Sequence, residues 1–194
     1  PEQDIIEALT RLADLLHAPK IAVPHHGEKP ALGHGALTSA SVAATLAHLM
    51  PEGTIISDES VSFGRDFFAY SHASEAHEWL SVTGGSIGQG IPVATGAAIG
   101  APGQRVINMQ ADGSAMYTVQ GLWTQAREKL DVTTVILSNR KYQILIGELA
   151  NVGANPGRTA MDMFDLGNPD LNWPQMAGAM GVEGASTDTV EGFA

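Results

Sequence analysis

Two six-residue apolar runs, each ending on polar residues, set tight limits on how this chain can fold. The first, Val106-Ile107-Asn108-Met109-Gln110-Ala111, leads into Asp112-Gly113-Ser114. The second, Val132-Thr133-Thr134-Val135-Ile136-Leu137, leads into Ser138-Asn139. Between them Ala115, Met116, Val119, Leu122, Trp123, Ala126 and Leu130 recur at three- and four-residue steps, the spacing of an amphipathic helix. Strand, helix and strand of these lengths form a right-handed crossover, so both strands run the same way. Asp112 and Asn139, 27 positions apart, are then expected side by side at the carboxyl edge of a sheet, where open α/β folds take ligands. Asp112-Gly113 could instead make a two-residue hairpin turn. That reading needs a strand after Ser114, where the period is helical.

A carboxylate beside a neutral amide oxygen, next to a helix N-terminus, suits a hard cation that holds a phosphate group. The net charge of −11 sharpens the point. A helix N-terminus offers roughly half a positive charge, too little for a diphosphate with an aspartate added beside it. A divalent cation between the two anions reverses the sign of that interaction. The same acidity argues against nucleic acid and anionic membranes as partners. With 194 residues, 44% of them hydrophobic, the chain can bury one full core, and its apolar runs fall short of membrane-spanning length. The absence of cysteine excludes disulfides and thiolate metal sites. It fits a reducing compartment, and with no recognisable signal peptide the expectation is a cytoplasmic protein.

Along the chain, residues 4–17 (Ile5, Ile6, Leu9, Leu12, Leu15, Leu16) have helical periodicity. Residues 18–35, rich in Pro, Gly and His, read as a linker. Leu37-Thr38-Ser39 gives a helix-cap context, with Val42, Leu46 and Leu49 on one face and Pro51 as the stop. A strand is expected over Thr54–Ser57, ending in the polar loop Asp58-Glu59-Ser60-Val61-Ser62. Another is expected over Trp79–Val82, before the glycine-rich segment Thr83–Gly90 and a helix of small residues (Ala94, Gly96, Ala97, Ala98). Beyond Asn139, Tyr142–Ala150 reads as helical and Asn151–Pro169 as a polar excursion. Asn172 can cap a short helix with Pro174 in its first turn and Gly181 past its end. Val182–Ala185 suggests a strand and Thr187-Asp188 the start of a last helix. The fold class implied is α/β: a doubly wound, mainly parallel sheet with helices on both faces, in three layers.

Four segments in order carry a family resemblance: Asp58-Glu59-Ser60-Val61-Ser62, Gly85-Ser86-Ile87-Gly88-Gln89-Gly90-Ile91-Pro92, Ala111-Asp112-Gly113-Ser114 and Asn139-Arg140-Lys141-Tyr142. Together they resemble the C-terminal, diphosphate-binding domain of the thiamine-diphosphate enzymes, in the acetolactate synthase and benzoylformate decarboxylase group. The family's Gly-Asp-Gly has Ala111 in place of its first glycine. The resemblance implies residues 1–20 as the tail of a preceding central domain, 21–37 as a linker, and 38–194 as the cofactor domain, cut short at its C-terminus.

The resemblance further implies thiamine diphosphate and Mg²⁺ as cofactors. The Asp112 carboxylate, the Asn139 side-chain oxygen and the Lys141 carbonyl would hold the metal. Gly113 and Ser114 would offer N–H groups to the diphosphate, with Val61 and Ser62 on its other side. Gly85 would accept from the aminopyrimidine, Ser86 and Tyr142 would adjoin the cofactor, and Ile87 would be the bulky residue that bends it. Holding its base against its acidic carbon in this way substitutes geometry for diffusion. The implied reaction is decarboxylation or carboligation of small 2-keto acids, acetolactate synthase-like or, alternatively, benzoylformate decarboxylase-like. No residue of the chain is assigned as catalytic, because the family's glutamate comes from a pyrimidine-binding domain, contributed by a neighbouring subunit of a homodimer or homotetramer. Glu59 and Glu78 stand outside that motif, and the chain alone is expected to be inactive.

Thr83-Gly84-x-x-x-Gly88-x-Gly90 also fits the nucleotide loop of short-chain dehydrogenases, an NAD-binding alternative. That family's Tyr-x-x-x-Lys is missing at Tyr117 and at Tyr142, and Asn139 would have no part. A relic that binds cofactor without turnover is a further alternative. His25-His26 and the other histidines lack metal-site spacing. Tyr142, Ile144 and Leu145 fit either the substrate side or a small core, and Trp79, Trp123 and Trp173 fit core or interface positions.

Overall fold

The computed structural model describes residues 4–19 and 27–194. Four parallel strands make the sheet: β1 (Ile55–Glu59), β2 (Glu78–Ser81), β3 (Val106–Ala111) and β4 (Val132–Leu137), in the order β2-β1-β3-β4. The two apolar runs are β3 and β4 with the bounds expected of them, paired from Val106↔Val132 to Ala111↔Leu137.

Side chains alternate across the sheet, and each face has its own cover. Ile56 and Met109 pack with Val42, Ala43 and Leu46 of α2 (Ser39–Leu49), with Met50 at its C-cap, and with Phe67 of α3 (Phe67–Ser71). On the opposite face Ile55 and Val106 meet Ala94 and Ala98 of α4 (Gly90–Gly100). Ala94 is fully buried, and its single methyl lets α4 lie close to the sheet. Ile91, Ala115 and Leu122 complete that layer, joining α4 to α5 (Asp112–Thr118) and α6 (Gly121–Glu128), with Ile136, Trp173 and Val182 against them. The result is the three-layer α/β architecture that the periodicity implied.

Local signals place several ends as expected. Thr38 caps α2, accepting from the Ser41 N–H while the Ser41 hydroxyl accepts from the Thr38 N–H. Asn172 caps α9 (Trp173–Ala179) through the Gln175 N–H, 3.0 Å away. The first helix, α1 (Ile5–Leu15), is capped by Asp4, and its side chains are all exposed. The expected linker runs in part outside the described residues.

Other expectations are corrected. The single helix between β3 and β4 is two, because the chain tightens at Val119–Gln120, where Leu122 and Trp123 donate three residues back. Gly121 there lies against Ile91, with no room for a Cβ. Asp58 and Glu59 belong to β1 rather than to a loop. Helix α3 carried no clear sequence signal, and the excursion after α7 (Gln143–Asn151) contains α8 (Arg158–Met163). Val182–Ala185 is not a strand. The Val182 N–H is spent on the Ala177 carbonyl at 2.9 Å and Gly184 abuts Pro174, so the segment wraps the end of α9 instead of pairing with β4. The last helix, α10 (Val190–Phe193), starts later than expected, capped by Thr189.

Candidate functional site

The strand order contains one switch. The chain leaves β1 toward α3 on one face and leaves β3 toward α5 on the other, so their carboxyl ends part and open a crevice. That crevice is a shallow cleft lined by the ends of three strands. Val61 and Ser62 come from the loop after β1, Asp112, Gly113 and Ser114 from the turn after β3, and Asn139, Lys141 and Tyr142 from the segment after β4. Eight of the expected site residues therefore face one space.

Asp112 opens α5 and is 2% exposed. Its Oδ2 accepts the Arg140 N–H at 2.7 Å and its Oδ1 accepts the Gly113 N–H at 2.9 Å. Burial pushes its carboxyl above the ordinary 3.8, and the Arg140 and Gly113 N–H groups pull it part of the way back. Asn139 is exposed at the end of β4, and its Oδ1 accepts the Lys141 N–H at 2.9 Å. An isolated bridge ties Lys141 to Asp165 by bonds from Tyr142 to Phe164 (2.9 Å) and from Leu166 to Arg140 (2.8 Å). Neither bond uses the Lys141 carbonyl. Asn139 Oδ1 thus accepts one protein hydrogen bond and keeps a second lone pair. A carboxylate oxygen, an amide oxygen and a carbonyl on adjacent strand ends are the donor types that Mg²⁺ prefers.

Two residues at the rim hold backbone conformations that L side chains rarely adopt. Val61 has φ +52° and Arg140 has φ +59°, and for β-branched Val61 this is a true outlier. Such strain persists only where surrounding contacts hold it, and it concentrates at functional sites. The Arg140 backbone is held on both sides, its N–H by the Asp112 carboxylate at 2.7 Å and its carbonyl by the Leu166 N–H at 2.8 Å, while its exposed side chain pairs with Asp170. The Tyr142 ring covers Gly113 so closely that a Cβ there would stand 2.6 Å from the ring. Burial raises the Tyr142 phenol above its usual range, with Tyr117 and Asp112 adding to the effect.

Gly85, Ser86 and Ile87 are elsewhere. They form an exposed turn before α4, outside the cleft, with Ile87 45% exposed. The two glutamates noted in the sequence differ in kind. Glu78 begins β2 beside Ile55, at the amino end of the sheet and away from the cleft. Glu59 is 1% exposed, with its carboxylate taken up by three N–H donors. Sequence reasoning missed this use of Glu59. The available signal was strand alternation, which turns Glu59 to the face opposite Asp58. Among the described residues, His, Cys, Asp and Glu form no group of three or more able to hold a metal. His25-His26 lies outside the described residues. Trp123 is 51% exposed, with the Arg127 guanidinium 4.9 Å over its ring. No helix among the described residues is long and apolar enough to cross a membrane.

Comparison with known proteins converges on one family. Residues 62–194 match the family described as thiamine pyrophosphate enzyme, C-terminal TPP binding domain. Over 190 residues the chain is 45% identical to a Mycobacterium tuberculosis protein named "Putative acetolactate synthase large subunit IlvX", covering 97% of this chain and 37% of that one. It is 30% identical over 164 residues to benzoylformate decarboxylase of Pseudomonas aeruginosa, covering 84% of this chain and 30% of the other. Among solved structures, the thiamine diphosphate-dependent 4-hydroxybenzoylformate decarboxylase of Rhodococcus jostii RHA1 superposes with a TM-score of 0.73 at 27% identity. That match covers 96% of this chain and 35% of the solved one. The chain spans about a third of the length of these relatives.

Proposed function

We propose, since the chain belongs to the thiamine pyrophosphate enzymes as a C-terminal TPP binding domain, that the crevice between β1, β3 and β4 is where it takes the cofactor's diphosphate, through Mg²⁺. Asp112, Asn139 and the Lys141 carbonyl would hold the metal, and the Gly113 and Ser114 N–H groups with Val61 and Ser62 would hold the diphosphate. The observation that carries the reading is the convergence of these residues on one cleft at the switch in strand order. When bound, thiamine diphosphate supplies an electron sink for cleaving or forming bonds beside a keto group. The part of this chain is to fix and orient. Asp112, 2% exposed, would offset part of the cation's charge, and the strained Val61 and Arg140 turns keep the acceptors at the lip.

The whole protein's reaction is read as decarboxylation or carboligation of a small 2-keto acid, acetolactate synthase-like or benzoylformate decarboxylase-like. It would take place where this domain meets a pyrimidine-binding domain of a neighbouring subunit. The occupied Glu59 and the distant Glu78 support a catalytic glutamate from outside this chain. Residues 1–20 are read as the end of a preceding domain. Support comes from α1, whose Ile5, Ile6, Leu9, Leu12 and Leu15 are half exposed or more, as is Leu16 just past its end.

Titration calorimetry tests the site. Thiamine diphosphate should bind only with Mg²⁺ present, and Asp112→Ala should abolish binding. Affinity indifferent to Mg²⁺ would overturn the metal assignment. The chain alone should turn over neither pyruvate nor benzoylformate, and full activity would mean that the catalytic machinery has been misplaced.

A further inference from the structure

The turn that carries Gly85 and Ile87 is fastened from beneath by a side chain outside the cleft. Glu59, the last residue of β1, is 1% exposed, and its register partner on β3 is Gln110. Glu59 Oε1 accepts the Gly88 N–H at 2.6 Å, and Oε2 accepts the Gly90 N–H at 2.7 Å and the Gln110 side-chain amide at 2.9 Å. Gln110 is itself steadied by Asn108, whose amide donates to it at 3.3 Å. Gly90 opens α4, so the carboxylate stands at that helix's positive end as well. The Gly88 peptide is held on its other side too, because the Thr118 hydroxyl donates to its carbonyl at 2.7 Å. Gly88 has φ +91° with Tyr117 against it, a conformation for which glycine is needed. The turn itself, Thr83–Ile87, is exposed and contributes nothing to the core. Its position rests on these anchors.

Resting on the cofactor reading above, we propose that Glu59 is a positioning residue. It sets the height and tilt of the Gly85–Ile87 turn against the organic half of thiamine diphosphate, while the cleft of Asp112 and Asn139 holds the diphosphate independently. Recognition is thereby divided. One set of groups reads the charged end and another, governed from β1, reads the ring end.

The division can be measured on the full chain with two probes, thiamine diphosphate and inorganic diphosphate, each with Mg²⁺. Glu59→Gln keeps the size but turns an amide donor toward a backbone N–H. It should weaken thiamine diphosphate by about tenfold or more, the worth of a charge-assisted hydrogen bond. It should leave inorganic diphosphate within about twofold, inside ordinary non-additivity. Amide exchange at Gly88 and Gly90, read by NMR without ligand, should speed up in the variant. Equal weakening of both probes, or of neither, overturns the proposal. Failure of the unmodified chain to bind either probe overturns the cofactor reading instead, and the positioning role with it. If Glu59→Gln does not fold, Gln110→Met removes one of the three donors without touching the backbone bonds. It should show the same selectivity for thiamine diphosphate, and its absence there counts against the proposal equally.

Discussion

Asp112 and Arg140 join the ends of neighbouring strands: the carboxylate after β3 accepts the backbone N–H after β4 at 2.7 Å. A side chain expected to hold a cation thus also shapes the loop that carries its companions. That double duty makes its protonation visible in folding. Burial raises the Asp112 carboxyl above 3.8, more than the N–H donors lower it. The folded state therefore keeps a proton that the unfolded chain releases. This group favours the fold below its unfolded value, and that contribution is lost as pH rises through the raised one. Melting of the cation-free protein should accordingly lose stability across that window, whereas Asp112→Asn should give a flatter profile. Parallel profiles for the two would refute the burial argument. Mg²⁺, which needs the ionised carboxylate, should raise the melting temperature of the unmodified chain at neutral pH and much less on the acid side.

Gly113 and Tyr142 form a coupled pair. A Cβ at Gly113 would meet the ring at 2.6 Å. Gly113→Ala should cost roughly 1–3 kcal/mol as an overpacking substitution. With Tyr142→Ala already present, the same change should be nearly free, giving a coupling of about 1 kcal/mol or more in a double-mutant cycle. Urea unfolding of the four proteins decides it, and simple additivity would show that the ring yields.

Arg140 permits a cleaner test of backbone strain. Arg140→Gly and Arg140→Ala both remove the ion pair with Asp170, whose partners are 59% and 61% exposed and so contribute little. Their difference isolates φ +59°. The glycine variant should be more stable than the alanine variant by about 1 kcal/mol. Equal stability would mean that the loop relaxes.

Ala94 reports on the packing of α4. It is fully buried between Ile55 and Val106, so Ala94→Leu should destabilise by roughly 1–3 kcal/mol. A neutral result in thermal unfolding would show a looser helix-to-sheet contact than the core implies.

The bounds of β3 and β4 were legible because six apolar residues, then Asp112 or Ser138-Asn139, leave little freedom of reading. The caps at Thr38 and Asn172 were legible for the same local reason: a side-chain oxygen meets a free N–H within three residues. Tertiary effects were not. The break at Val119–Gln120 depends on Gly121 meeting Ile91, and the fate of Val182–Ala185 depends on its wrapping α9. Neither is written in a window of ten residues. Within the site, eight residues gather where strand-end logic puts them, while Gly85–Ile87 stands apart, and the Glu59 anchor joins residues 29 and 31 positions apart in sequence.

With its four strands parallel, the molecule has two unlike poles. The crevice occupies one. The turns entering the strands, such as Ala101–Gln104 ahead of β3, occupy the other, separated from it by a six-residue strand, about 20 Å at the usual rise. Gln104 is exposed there. A fluorophore, an affinity handle or a surface tether attached at that turn would hold the domain by its back and leave the crevice facing solution.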